Sequence, residues 1–156
     1  MPPDWFIVNL DGAPAMRNER SGTWTDFEPA DARFEDLGIN VHVIQPGQAN
    51  AMYHGEDAQE DFLVLHGECI AIIEDEERPL RTWDFVHCPR GTRHVFVGAG
   101  DGPCAILMVG ARRNQSAEYP PSELAARYGA AAADPDDPYA GFPASEPVRF
   151  SWPPAR

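Results

Sequence analysis

Residues 38 to 111 are a succession of short β-type segments cut apart by Gly, Pro and Asp, and this punctuation constrains the chain more than any other feature. Gly38 to Gln45 alternates, with Ile39, Val41 and Val43 on one face, and Pro46-Gly47 ends it as a turn. Asp61 to His66 and Cys69 to Glu74 are near-continuous apolar runs separated by Gly67, and Asp75-Glu76 offers a tight turn into Arg78-Pro-Leu-Arg. Phe85 to Cys88, Arg93 to Val97 and Cys104 to Gly110 complete the series, divided by Pro89-Arg90-Gly91 and by the loop Gly98 to Pro103. Many short strands at near-regular spacing predict an all-β sandwich, jelly roll or barrel.

Both parities are apolar in Phe62-Leu-Val-Leu and Val95-Phe-Val, so both faces of these strands need cover. A barrel interior covers one face. The N-terminal segment or a second subunit must cover the other, and a homodimer is expected on this ground. Trp5-Phe-Ile-Val and then Trp24 to Phe27 are the N-terminal candidates. Trp24 and Phe27 read as packing residues, an aromatic ligand box being the alternative.

The character shifts after Arg113, which divides the chain into a barrel unit over 1–113 and a short helix with a Pro-rich tail over 114–156. Ser122 suits an N-cap, Leu124-Ala-Ala-Arg-Tyr128 continues a helix, and Gly129 suits the position after its end. In the tail that follows, Asp134-Pro-Asp-Asp-Pro-Tyr cannot form regular structure, and such a tail is either disordered or draped in extended form over a surface. Tyr139, Phe142, Phe150 and Trp152 favour draping.

At 156 residues the chain is the size of one domain. No stretch approaches the roughly eighteen consecutive apolar residues of a membrane span. A net charge of -13 repels phosphate backbones and anionic lipid, so neither nucleic acid nor membrane is an expected partner. The start lacks the basic and apolar regions of a secretory signal, which predicts a cytoplasmic protein. Cys69, Cys88 and Cys104 sit among apolar neighbours and read as buried, reduced thiols.

Polar residues that break the strand pattern concentrate in Tyr53-His-Gly-Glu-Asp-Ala-Gln-Glu60. His54 and Glu56 are two apart, so on a strand they share a face, and Glu60 leads into an apolar strand where an unpaired carboxylate is expensive. His94 also opens an apolar strand, directly after a Pro-x-Gly turn. Two imidazoles with one or two carboxylates inside a barrel form a nitrogen and oxygen site that suits Fe(II), Mn(II), Ni(II) or Zn(II). Taken singly, His94 also fits a hydrogen-bonded core histidine, and Glu60 a pair with Arg90 or Arg93. His42 and His66 read as surface or rim residues, and the strand of His87 is too short to fix its parity.

Pro46-Gly47 through Gly67 resembles the first motif of the cupins, which runs Gly, about five residues, His-x-His, three or four residues, Glu, six residues, Gly. Glu60 and Gly67 match. With three residues before Glu60, His54 takes the place of the first His and Glu56 that of the second; a register with four residues would place Tyr53 and Gly55 there instead. Trp83 through Gly98 resembles the second motif at Pro89, Gly91 and His94, but has Trp83 where the family has Gly and Gly98 where it has Asn. The resemblance implies a jelly-roll barrel with a divalent transition metal held by His54, Glu60 and His94, and Glu56 as a further ligand or a general base.

Two functions follow from the resemblance. One is a metal-dependent enzyme acting on a small polar molecule, the metal polarising a substrate oxygen or binding dioxygen, with Met52, Phe62 and Phe96 lining the pocket. The other is a metal-free barrel that holds a small ligand or regulates, which the replacement of a family His by Glu56 favours.

Overall fold

The punctuated segments form strands, and every strand pair is antiparallel. The computed structural model describes residues 5–112 and 116–154. Among them the chain runs β1 (Pro14–Asn18), β2 (Gly22–Asp26), β3 (Leu37–Ile44), β4 (His54–Glu56), β5 (Glu60–His66) and β6 (Glu68–Ile73). There follow β7 (Glu76–Arg81), β8 (Phe85–Cys88), β9 (Arg93–Ala99), β10 (Cys104–Ala111), β11 (Ala117–Glu118), α1 (Glu123–Arg127) and β12 (Glu146–Arg149). One sheet has the order β12-β1-β2-β3-β10-β5-β8 and the other β11-β4-β9-β6-β7. The two pack face to face as a cupin-type barrel, the all-β jelly roll that the strand spacing predicts.

Strand alternation fills the interior from both sheets. Ile44, Phe62, Val64, Cys69, Ala71, Cys88, Phe96, Cys104, Ile106 and Met108 form one buried cluster between them. Cross-strand register sets the inner face of the larger sheet in rows: His42 lies opposite Ile106, Asn40 opposite Met108, and Gly38 opposite Gly110, which lies opposite Glu60. Moving along the barrel, side chains therefore give way to glycine and then to a carboxylate.

Each outer face is covered by the chain itself. Val41, Val43 and Ala105 of the larger sheet pack with Phe150, Leu10, Phe27 and Val148. Ile72, Val95 and Val97 of the smaller sheet pack with Ala125, Ala130, Leu124 and Tyr128 from the helical segment. Strands that are apolar on both faces thus find partners within the chain.

The N-terminal cover comes from different residues than expected: Trp5, Phe6, Ile7 and Val8 are exposed and lie outside any strand, while β1 and β2 extend the larger sheet. Phe27 packs outside the barrel, as a packing residue should. The tail is draped on its own chain. β12 pairs with β1, Phe150 is buried, and Trp152 packs edge-on against His66.

Two turns explain the motif residues that hold no ligand. Gly67 has φ +79°, and a Cβ there would fall 2.3 Å from the Pro103 carbonyl oxygen, so only glycine fits. Trp83 stands where the cupin motif has glycine, and it adopts the left-handed conformation that glycine tolerates, with φ 76°. Ser122 caps α1 by accepting from the Ala125 amide at 3.0 Å, and Gly129 follows the helix at φ +67°.

Candidate metal centre

β4 and β9 are neighbours, and their register sets His54 directly opposite His94. Cross-strand partners share a face, so both imidazoles point inward, with ring centroids 4.9 Å apart. Asp57, Ala58 and Gln59 then carry the chain from the smaller sheet to the larger, where Glu60 opens β5 on the facing wall. That crossing is the physical content of the three-residue gap in the first motif. Glu60 Oε2 comes to 3.3 Å from His94 Nε2, and one ligand atom from each of His54, Glu60 and His94 lies within 4.8 Å of the others.

The hydrogen bonds around the rings set their tautomers. His54 Nδ1 lies 2.7 Å from the Met52 carbonyl and His94 Nδ1 lies 3.0 Å from the Thr92 carbonyl. A carbonyl only accepts, so each Nδ1 carries the proton and donates it. Each Nε2 is thereby turned to the carboxylates, that of His94 3.3 Å from Glu60 and that of His54 3.6 Å from Glu56, the arrangement by which a backbone carbonyl orients a metal-binding histidine.

Electrostatics follow from this crowding. Burial, with the charge of Glu56 adding to it, pushes the Glu60 carboxyl up to about 7. Burial and then the nearby His54 charge push His94 down to about 4. Burial also opposes charge on His54. The hydrogen bond to Glu56, the Met52 carbonyl and the Glu60 charge together outweigh it and hold His54 above its ordinary value. Glu56 is held low, first by the His54 hydrogen bond. A cation among these groups would satisfy the buried carboxylate and both imidazole lone pairs at once.

Other pairings for Glu60 are taken. Arg93 Nε bonds Glu118 at 3.0 Å and Arg90 Nε bonds Asp57 at 3.1 Å. The competing motif register also fails, because Tyr53 is buried on the far side of the smaller sheet, where its hydroxyl accepts from the Asp75 amide. Glu56 lies beside the three clustered residues, with Oε1 3.6 Å from His54 Nε2 and a third of its side chain exposed.

A cavity of about 480 Å³ opens over the cluster, lined among others by Glu56, Phe62, Met108, Tyr119 and Tyr139. Phe62 lines this space. Met52 and Phe96 do not. Met52 is buried and contributes its carbonyl to His54, and Phe96 lies behind the wall, its ring tilted against Phe62 with centroids 4.6 Å apart. His42, expected at the surface or rim, is buried and lines the cavity with Nε2 2.6 Å from the Ser21 carbonyl. His66 is exposed, and His87 is an exposed partner of Asp61 at 2.6 Å. Sequence reasoning missed Tyr119, which stacks on His54 at 5.5 Å, and Tyr139, since neither lies in a motif. Asn40 was legible only as a polar residue sharing the face of His42.

Comparison with known proteins adds to this geometry. The family model for the cupin domain matches residues 40–110. A Cupin 2 conserved barrel domain protein from Salinispora arenicola is similar over 81% of this chain and 98% of its own, at 20% identity and a TM-score of 0.60. A polyketide cyclase from Streptomyces resistomycificus is 17% identical over 70% of this chain and 74% of its own, with a TM-score of 0.56. A sugar phosphate isomerase of the cupin superfamily from Silicibacter pomeroyi is 25% identical over 58% of this chain, with a TM-score of 0.53. This chain covers 59% of that isomerase. No curated protein matches. Among the described residues no helix is long and apolar enough to cross a membrane.

Proposed function

We propose that this chain, which carries a cupin domain at residues 40–110, is a metal-dependent enzyme acting on a small polar molecule. His54, Glu60 and His94 hold a divalent transition metal, with Fe, Mn, Ni and Zn all compatible with two imidazoles and a carboxylate. The observation that carries the reading is the pair of Nδ1 bonds to backbone carbonyls, which turns both Nε2 atoms inward, where they and Glu60 converge from facing sheets.

When bound, a divalent ion supplies Lewis-acid polarisation of a substrate oxygen. The chain supplies the rest. Glu56 is part-exposed at the cavity edge and held ionised by His54, so it is the general base that takes a proton from the substrate. Phe62 and Tyr119 flank the histidines and exclude water from that side. One polarising cation and one base suffice for proton transfer between adjacent carbons, and the likeness to a sugar phosphate isomerase supports that class of reaction.

The test is the metal content of protein purified without a histidine tag, together with melting in the presence and absence of chelator. One transition metal per chain, and a melting temperature lowered by chelator, are expected because a ligand of the native state alone stabilises it. No metal and an unchanged melting temperature would overturn the enzyme in favour of a small-ligand binder or regulatory barrel, a reading that Glu56 in place of a second histidine supports.

A further inference from the structure

His54 and His94 are held in unequal ways. His94 sits within the core, almost wholly excluded from solvent, with Phe62 of the facing sheet at 5.1 Å and Phe96 of its own strand at 5.9 Å between ring centroids. His54 meets His94 on one side at 4.9 Å. Among the described residues its other ring contact is Tyr119, at 5.5 Å and within 28° of parallel.

Sheet order explains this arrangement. β4 lies between β9 and β11, and β11 pairs Ala117 with Glu56 and Glu118 with Gly55. The next step of that register brings Tyr119 opposite His54, on the face that both imidazoles share. The rings of His94, His54 and Tyr119 therefore stand in a row. β11 is only two exposed residues, but it is tied down beside the centre. The Asp57 amide donates to the Ser116 carbonyl at 3.0 Å, and Arg93, next to His94, donates from Nε to Glu118 at 3.0 Å. Tyr139 ends the row, edge-on to Tyr119 at 6.0 Å.

The χ2 torsion of a histidine is broad and shallow. The Nδ1 bond to the Met52 carbonyl fixes which nitrogen carries the proton, yet a single hydrogen bond lets the ring rock about that contact. An aromatic face laid nearly parallel against the imidazole attracts it and leaves it no room to tilt. We infer that Tyr119 is a positioning residue of the metal centre: its ring holds the imidazole of His54 at the angle from which Nε2 meets an ion shared with Glu60 and His94. The segment beyond the barrel thus completes the centre, although it supplies none of the three ligands. The flat face of the ring acts, not the hydroxyl. The inference rests on the proposed metal site for its effect on affinity, and on the packing of the apoprotein alone for its effect on His54.

The test compares the full chain with Tyr119→Leu, which keeps an apolar side chain but loses the flat face, and Tyr119→Phe, which keeps both. Zn(II) affinity is read by competition with a coloured chelator, and the His54 ring protons by NMR of the apoprotein. Tyr119→Leu is expected to weaken Zn(II) about tenfold, the low end for residues behind metal ligands, and Tyr119→Phe to stay within about twofold of the wild type. In the apoprotein the ring current of Tyr119 shifts the His54 ring protons upfield; Tyr119→Leu should lose this shift and Tyr119→Phe keep it. Wild-type Zn(II) affinity in Tyr119→Leu would overturn the inference. So would a loss in Tyr119→Phe as large as that in Tyr119→Leu, since the hydroxyl would then be the part that acts. A wild type that binds no Zn(II) sinks the metal reading, and the apoprotein spectra then decide the role of Tyr119: a His54 shift lost in Tyr119→Leu and kept in Tyr119→Phe upholds it, and a shift unmoved in Tyr119→Leu overturns it.

Discussion

The two ends of the barrel are built from the same three strands and have opposite chemistry. At one end β3, β10 and β5 contribute Ile44, Cys104, Ile106 and Val64, each almost wholly excluded from solvent and packed against Cys69 and Ala71 of the facing sheet. A few residues along, the same strands contribute Gly38, Asn40, Gly110 and Glu60, and the space between the sheets is a cavity. The closed end gathers the burial that holds the fold together, and this lets the open end keep a carboxylate and two imidazoles facing each other. Function is placed where packing stops.

The largest test of this division is Ile106→Ala. Truncating a fully buried isoleucine in a packed interior costs about 3–4 kcal/mol of unfolding free energy. Denaturant unfolding checks this, and the surviving folded protein should bind metal as the wild type does. A loss of metal affinity as large as the loss of stability would show that the two ends are one cooperative unit.

Glu60→Gln is the converse. It should lower metal affinity about 100-fold or more, some 2.7 kcal/mol, since even residues behind the ligands cost 10–100-fold when changed. Metal-free protein should be no less stable than wild type, because burial and Glu56 already disfavour the ionised Glu60. Competition with a coloured chelator measures the first, and melting of apoprotein the second.

Acid should separate the ends by a smaller margin. His42 is held near 4 by burial, against an ordinary value of 6.5. The unfolded chain therefore binds a proton between those values that the folded chain refuses, and stability contributed by neutral His42 is lost as pH falls from about 6.5 to about 4. The loss is about 3 kcal/mol at most. Unfolding of His42→Gln across that interval should lack this component, whereas Cys69 of the closed end, raised first by its hydrogen bond to Cys104 and then by burial, contributes nothing there.

The smallest expected effect comes from Trp83, whose amide bonds the Val64 carbonyl at the edge of the closed end. Its exposed side chain gains little burial, while its left-handed backbone is strained. Trp83→Gly relieves that strain at the expense of extra entropy in the unfolded chain, and should raise stability by about 0.5 kcal/mol. A drop in the melting temperature would show that the indole packs more than its exposure indicates.

What could be read in advance is what depends on neighbours in the chain. Alternation at a period of two, the turn residues, the cap at Ser122 and the spacing of Glu60, Gly67, Pro89, Gly91 and His94 act over a few residues, and they determined an all-β barrel with one short helix and brought forward His54, Glu56, Glu60 and His94. Tertiary structure decided the rest, because it depends on which faces meet. The sequence of β3 allowed either face to turn inward; only sheet-on-sheet packing showed that Asn40 and His42 face the cavity while Val41 and Val43 meet Phe150. Phe62 and Phe96 were equally apolar in sequence, yet one lines the cavity and the other lies behind it. Tyr119 and Tyr139 reach the site from segments with no strand period or motif to announce them, since a contact made by a returning chain leaves no local pattern for a sequence to display.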